Sequence, residues 1–303
     1  MQKDLNEIRG DIKGRLLDSS NGWKLSRPPI HRLAGQTLFC FCCFGDRAYC
    51  ALCAVAIRAL LKSNPWVENL LVITNEKTQP QLEEALSDIL RGSRNFFIHT
   101  IFAENIIDYT GARFHVHRLP LPSHLAHVVY MDIDCVVWGD LSALIRATFN
   151  THPIYALEQL VQGDGTVEYA EQRPGLGKHL FAEDSNPLRE LNAGFNTGVL
   201  VFSMDLARRY FDRVLRTLYA YFSSDSAKGP LHEQACANYI LLSLNAVDVE
   251  YLKKWVSLVR PNDQLPASLR QLLPVVHFLG GEMGFAQQKL KRLQAFVNHH
   301  QLS

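Results

Sequence analysis

Nowhere does this chain run for roughly eighteen apolar residues without a polar interruption, so no helix is predicted to cross a membrane. Met1 to Lys24 is polar and mixed in charge, which argues against a secretory signal. Net charge is also scarce: 31 Lys and Arg against 30 Asp and Glu leave +1. That balance speaks against a nucleic-acid partner, which calls for a concentrated basic surface. There is no internal repeat and no low-complexity tract. What is present is ordinary for a globular enzyme, with 47% apolar and 20% charged residues. A length of 303 residues supports one large domain or two modest ones.

Cysteine is informative by position. Cys40, Cys42, Cys43, Cys50 and Cys53 crowd together, with Cys135 and Cys236 apart. An odd count of 7, concentrated in apolar segments, predicts reduced thiols and a cytoplasmic location. Cys50-x-x-Cys53 with Cys40 or Cys42 has the ligand types for zinc. Buried thiols acting as small hydrophobes are the plainer account.

Strands alternate with helices of ten to fifteen residues, which predicts crossover units and a mainly parallel sheet flanked by helices. Strands are expected at Thr37–Phe44, Leu70–Thr74, Phe96–Ile101, Pro153–Leu157, Gly194–Ser203 and Pro274–Phe278. Helices are expected near Tyr49–Lys62, Gln79–Arg91, Asp140–Thr148, Leu206–Phe222, Glu233–Leu244 and Phe285–His300. Residues 1–34 read as a helical extension, 35–284 as the main domain and 285–303 as a C-terminal helix. The polar stretch 159–192 reads as a substrate-facing loop. Lys289, Lys291 and Arg292 cluster on the last helix, either as a solvated face or as a weak peripheral membrane contact.

The central anomaly is Val128-Val129-Tyr130-Met131-Asp132-Ile133-Asp134-Cys135-Val136-Val137-Trp138, an apolar strand that delivers two carboxylates one residue apart. Burying an unpaired carboxylate costs several kcal/mol, so about that much must be recovered locally. Period two predicts that both side chains point to one side of the strand. Two hard oxygen donors there can hold Mg²⁺ or Mn²⁺ and, with it, a diphosphate. Equally, each Asp can cap local N–H groups in a strand-end turn.

Other motifs follow in a fixed order. Asp46 and Tyr49 come after the first strand. Arg118-Leu119 precedes Pro122 and the Asp-x-Asp, and Gly139-Asp140-Leu141 follows it. Then come Asn196-Thr197-Gly198, His232-Glu233-Gln234, and Val276-His277-Phe278-Leu279-Gly280-Gly281. This order resembles nucleotide-sugar-dependent glycosyltransferases of the GT-A fold, and most closely glycosyltransferase family 8, over roughly residues 35 to 282.

The resemblance implies a metal-dependent transfer from a nucleotide-sugar, a UDP-sugar in this family, with retention of configuration. The acceptor is undefined: a saccharide, a lipid-linked glycan or a protein. Asp132, Asp134 and His277 are implied as ligands of Mn²⁺ or Mg²⁺, with Asp132 also reaching the donor. Asp46, Tyr49, Arg118 and Gly280 are implied as donor-binding residues. Asn196 would lie near the transferred sugar, and Glu233 would bind its hydroxyls. Gln234 would sit on the reactive face of the anomeric carbon. Asp46 also suits a helix N-cap. Asp164 and Glu158 rest on loop composition alone. After its late histidine the family often carries Gly-x-x-Lys-Pro-Trp. Here Gly280-Gly281-Glu282-Met283-Gly284-Phe285 lacks that lysine, which leaves Lys289 as a substitute.

Two other classes remain at this point. Asp132-Ile133-Asp134-Cys135-Val136 also matches the nucleophile motif of haloacid-dehalogenase-type phosphatases. That family places the motif early and follows it with a Gly-Asp-x-x-x-Asp, which this chain does not have. The other class is a GT-A module that binds a nucleotide-sugar without turning it over.

Overall fold

A strand that is apolar at odd and even positions alike needs cover on both faces. The computed structural model describes residues 29–92, 94–159, 166–183, 192–223, 232–260, 272–279 and 286–299, and it supplies that cover. A short helix α1 (Ile30–Ala34) leads into β1 (Thr37–Cys42), α2 (Arg47–Ser63) and β2 (Asn69–Thr74). Next come α3 (Gln79–Ala85), α4 (Ser87–Leu90), β3 (Asn95–Thr100), α5 (Ile106–Gly111), a 3-10 helix (Ala112–Arg118) and β4 (His127–Met131). Strands β5 (Cys135–Val137) and β6 (Ile154–Glu158) flank α6 (Ser142–Thr148). The chain continues through α7 (Lys178–Glu183), β7 (Phe195–Ser203), α8 (Met204–Ser223), α9 (His232–Ser243) and β8 (Val247–Asp248). Last come β9 (Val256–Val259), β10 (Val275–Phe278) and α10 (Ala286–His299).

Seven strands form one sheet in the order β3-β2-β1-β4-β7-β6-β8, and only β7 runs against its neighbours. The predicted mainly parallel sheet is therefore present, with one reversal. Leu38, Cys40, Leu71, Ile73, Val128, Tyr130, Leu200 and Phe202 enter a core shared with Phe211, Leu215 and Leu218 of α8. Their alternates Phe39, Phe41, Leu70, Val72, Val129, Met131, Val199 and Val201 enter a second core with Cys53, Ile57 and Leu60 of α2. Burying each large side chain contributes about 1.5–3 kcal/mol, which makes this sheet the rigid platform of the molecule.

The carboxylate-bearing run departs from its expected form. It is not one strand: β4 ends at Met131, Asp132–Asp134 make a turn, and β5 joins a separate three-stranded sheet in the order β5-β10-β9. The expected helix over 79–91 also breaks, at Leu86. There Arg58 of α2 donates to the Ala85 carbonyl (2.9 Å) and grips Asp88 through both carboxylate oxygens. The short strands β8 and β9 carry too little pattern to be seen in sequence. Within the expected loop 159–192, residues 166–183 hold a 3-10 turn and α7.

His127 opens β4 fully buried between the hydroxyls of Thr37 (3.5 Å) and Thr148 (3.2 Å). Burial pushes its pKa down to about 4. The unfolded chain, with an ordinary imidazole near 6.5, binds the proton first, so stability falls as pH drops below about 6.5. Urea titrations of the wild type should lose about 2 kcal/mol more between pH 7 and pH 5 than those of His127→Gln. Equal losses would mean that His127 is not the group responsible.

Candidate active site

The site is built where β7, the reversed strand, begins beside the carboxyl end of β4. Asp132 donates its backbone N–H to the Gly198 carbonyl (2.7 Å), and Cys135 N–H closes the turn on the Asp132 carbonyl (3.0 Å). β10 pairs antiparallel with β5 and sets His277 opposite Cys135, while Phe278 N–H donates to the Asp134 carbonyl (3.0 Å). His277 Nε2 consequently lies 3.3 Å from Asp134 Oδ1 and 4.0 Å from Asp132 Oδ2.

Gly198 makes this approach sterically possible. A Cβ there would stand 2.1 Å from His277 Cε1. Gly198→Ala should cost about 1–3 kcal/mol by overpacking. By displacing the imidazole it should also lower turnover by about a hundredfold. Thermal melts together with initial rates test this, and an alanine variant matching the wild type in both would refute the packing argument.

The residues present fit a divalent cation. Asp134 is buried, and among the described residues its Oδ1 has no hydrogen-bond partner. That oxygen faces His277 Nε2, which also lies 4.0 Å from Asp132 Oδ2, and carboxylate with imidazole is a donor set that suits Mn²⁺ or Mg²⁺. Among the described residues, ligand atoms of Asp134, Cys135 and His277 all lie within 4.8 Å of one another. Cys135 is the poorest donor of the three. Burial holds its thiol pKa well above the ordinary value, and Sγ is 3.8 Å from the Gly198 carbonyl. Asp132, with Oδ2 4.0 Å from His277 Nε2, offers a hard cation a better donor type than Cys135 but lies outside that group.

Burial alone would raise the Asp134 pKa, but His277 and Lys289 outweigh it and hold the carboxyl well below the usual range. Lys289 Nζ is 2.5 Å from Asp134 Oδ2. Sequence reasoning had offered this lysine only as a substitute, and the structure places it on the acidic turn. Arg292 also turns inward, donating to the Arg260 carbonyl (2.8 Å) and lying over the Phe278 ring. Lys289 and Arg292, two of the three Lys and Arg residues on α10, thus make contacts within the protein. No described helix is long and apolar enough to cross one.

The structure does not bring Arg118 to the acidic turn. Arg118 lies on the outer side of the 3-10 helix, paired with Asp212 (2.7 Å), which also meets His117 Nε2 (2.8 Å). Arg113, one and a half turns earlier, is buried against Asp132 (3.1 Å) and Glu233 (3.7 Å). It donates to the Thr197 carbonyl (2.8 Å) and covers the Tyr130 ring at 4.9 Å. Tyr130 O–H donates to Asp132 Oδ1 (2.5 Å). The only sequence signal for Arg113 was a charged residue amid apolar ones in Ala112–Val116.

Asn196 and Gln234 do come together. Gln234 Oε1 accepts from Asn196 Nδ2 (3.4 Å) and from Thr197 N–H (3.3 Å). Asn238, which sequence reading missed, ties α9 to β7 by bonding both the N–H (2.8 Å) and the C=O (2.9 Å) of Phe195. Glu233 is buried, like Gln234, and accepts from Thr197 Oγ1 (3.4 Å) beside Arg113 (3.7 Å).

Asp46 caps α2, accepting from Ala48 N–H (2.9 Å). Gly45, with φ of 124°, lets the Tyr49 ring pack where a Cβ would meet it at 2.6 Å. At the same sheet edge, beyond β1, a cavity of about 470 Å³ opens at the ends of β2 and β3. It is lined by residues including Asn75, Lys77, Phe102 and Tyr109, and Tyr109 stacks on Phe44 with centroids 4.9 Å apart. Glu158 is buried on Lys253 (2.5 Å). Gly280 and Asp164 lie outside the described residues.

The zinc expectation fails on strand alternation. Cys40 enters one core and Cys42 packs against it, whereas Cys50 and Cys53 belong to the core on the opposite face of the sheet. All seven cysteines are free.

A mainly parallel sheet with one reversed strand, and an acidic turn at its carboxyl edge, defines a glycosyltransferase of the GT-A fold. The family model described as Glycosyl transferase family 8 matches residues 40–281, and the chain belongs to that family. The fold matches a galactosyltransferase, LgtC, solved in complex with donor and acceptor sugar analogs (TM-score 0.55, 16% identity, 86% of this chain and 95% of that one). It also matches mouse xyloside xylosyltransferase 1 (TM-score 0.50, 13% identity, 80% and 97%). A third match is the glycosyltransferase GlyE of Streptococcus pneumoniae TIGR4 (TM-score 0.52, 13% identity, 88% and 64%). No curated protein sequence matches the chain. The family assignment favours neither the phosphatase reading of Asp132 and Asp134 nor a non-catalytic module.

Proposed function

We propose that this glycosyltransferase is metal-dependent, uses a UDP-sugar, and transfers the sugar with retention to a saccharide, lipid-linked glycan or protein acceptor. The observation that carries the reading is the Asp134 oxygen without a hydrogen bond among the described residues, facing a His277 imidazole that also lies 4.0 Å from Asp132 Oδ2. Asp132, Asp134 and His277 would hold Mn²⁺ or Mg²⁺, which when bound neutralises the diphosphate and stabilises charge on the leaving group. Arg113 and Tyr130 orient Asp132. The side-chain amides of Asn196 and Gln234 face the transferred sugar, with the Gln234 carbonyl oxygen fixed by Thr197 N–H.

Glu233 is engaged by Arg113, so no carboxylate among these residues is placed as a covalent nucleophile. Departure and attack on the same face of the sugar, beside Gln234, is the route we assign. The cavity beside Tyr109 has the aromatic wall a nucleobase needs, and we assign Asp46 and Tyr49 to donor binding as well. We assign the catalytic domain to residues 35–284, with extensions at 1–34 and 285–303. The free cysteines support a reducing, cytoplasmic compartment.

A donor screen tests the reading. Nucleotide release from UDP- and GDP-sugars is scored with and without Mn²⁺. The expected result is release from a UDP-sugar that requires the metal and falls to background in EDTA. Undiminished release in EDTA would overturn the metal assignment, and preference for a GDP-sugar would overturn the donor.

A further inference from the structure

Lys289 lies beyond the family-matched residues 40–281, yet its ammonium is in contact with the best-placed metal ligand. We propose that Lys289 is a tethered counter-cation that shares Asp134 with the divalent ion, weakens binding of the metal alone, and moves to the diphosphate when metal and nucleotide bind together. The proposal rests on the metal-dependent reading above.

Charge and geometry carry it. Two carboxylates meet at the turn. Arg113 neutralises Asp132 from one side, and Lys289 neutralises Asp134 from the other. The two oxygens of Asp134 are divided: Oδ2 takes the ammonium, while Oδ1 faces His277 without a hydrogen bond among the described residues. A divalent ion entering at Oδ1 would share one carboxylate with a half-buried ammonium, and like charges that close repel where bulk water is partly excluded. A diphosphate brings the negative charge that relieves this.

The lysine can respond because its backbone is fixed and its side chain is not. Helix α10 is held by Leu293, Phe296 and Val297 in a core with Val276 and Phe278 of β10 and Leu52 of α2. Phe278 and Phe296 meet edge to face at 5.6 Å. Lys289 itself is only half-buried, on a flexible four-carbon stem that can move the charge within the cleft. An ammonium that competes with the metal for Asp134 but pairs with the diphosphate makes the two ligands bind with positive coupling.

The test uses the full chain and three measurements. Mn²⁺ affinity without nucleotide is read by electron paramagnetic resonance of the free ion, UDP affinity at saturating Mn²⁺ by calorimetry, and folding by circular dichroism. In Lys289→Gln, Mn²⁺ alone should bind roughly tenfold tighter and UDP with Mn²⁺ roughly tenfold weaker, within the usual range of site-to-site coupling. Lys289→Arg keeps the charge and should leave Mn²⁺ affinity near the wild-type value, which also covers the case in which the glutamine variant folds poorly. Unchanged or weaker Mn²⁺ binding in Lys289→Gln, with Asp134→Asn still abolishing binding, overturns this inference and leaves the metal site standing. Failure of both wild type and Lys289→Gln to bind Mn²⁺ overturns the metal reading and this inference together. Unchanged UDP affinity overturns the transfer of the ammonium to the diphosphate.

Discussion

Asp134→Asn should lower metal-dependent turnover of the donor sugar by about a thousandfold or more, equivalent to about 4 kcal/mol of transition-state stabilisation. The substitution keeps shape and volume and removes one charge at the position where three groups meet. His277 Nε2 (3.3 Å) and Lys289 Nζ (2.5 Å) both face this carboxylate. An amide cannot replace it: its nitrogen is a donor turned toward an ammonium or an imidazole, and its oxygen is neutral. Folding should suffer less than catalysis, by about 1–3 kcal/mol, the cost of leaving a half-buried cation poorly paired. Initial rates against Mn²⁺ concentration, with thermal melts on the same samples, separate the two effects. Turnover within tenfold of wild type, still dependent on Mn²⁺, would show that Asp134 is not a ligand.

Arg113→Met should be the most destabilising single change at the site. The guanidinium is buried, and it joins Asp132, Glu233 and the Thr197 carbonyl in one fork. Burial opposes its charge, but Asp132 and Glu233 outweigh that and raise its pKa further. Removing it leaves two carboxylates and a carbonyl facing one another without a cation, a loss of about 3–5 kcal/mol. Arg113→Lys should recover little, because a single ammonium cannot serve three acceptors at the angles a planar fork provides. Arg118→Ala is the control. Its ion pair with Asp212 is half exposed, worth about 1 kcal/mol or less. Chemical denaturation of the three variants gives the comparison, and equal losses for Arg113→Met and Arg118→Ala would remove Arg113 from its bridging role.

These two arginines show how far sequence reading reached. Arg118 carries a positional likeness, beside Leu119 and Pro122. Arg113 sits in a mostly apolar stretch with no motif. A 3-10 helix advances about three residues per turn, so Arg118 and Arg113 fall on different sides of it, a distinction linear spacing does not carry. Glu233 and Gln234 show the same limit. They are adjacent in sequence, but at the start of α9 only Gln234 is held beside Asn196, while Glu233 is drawn down to Arg113. The acidic run was legible as an anomaly of burial, yet its division between two sheets was not. β4 and β5 are separated by three residues, and pairing with β10, more than a hundred residues later, decides that the second piece leaves the main sheet.

By itself the sequence determined that strands and helices alternate, that the strands are buried on both faces, and that Asp132, Asp134, Asn196, Gln234 and His277 belong to one ordered set. Those properties are local or serial: apolar runs, period two, and motif order along the chain. Only the tertiary structure decided which charges meet. The reversed β7 brings Gly198 and Asn196 to the end of β4, and β10 brings His277 to Asp134. Packing of α10 on α2 and β10 delivers Lys289 to the same carboxylate. Pairings between segments this far apart in the chain are fixed by packing and hydrogen-bond register, and neither leaves a mark in the linear pattern around any one of these side chains.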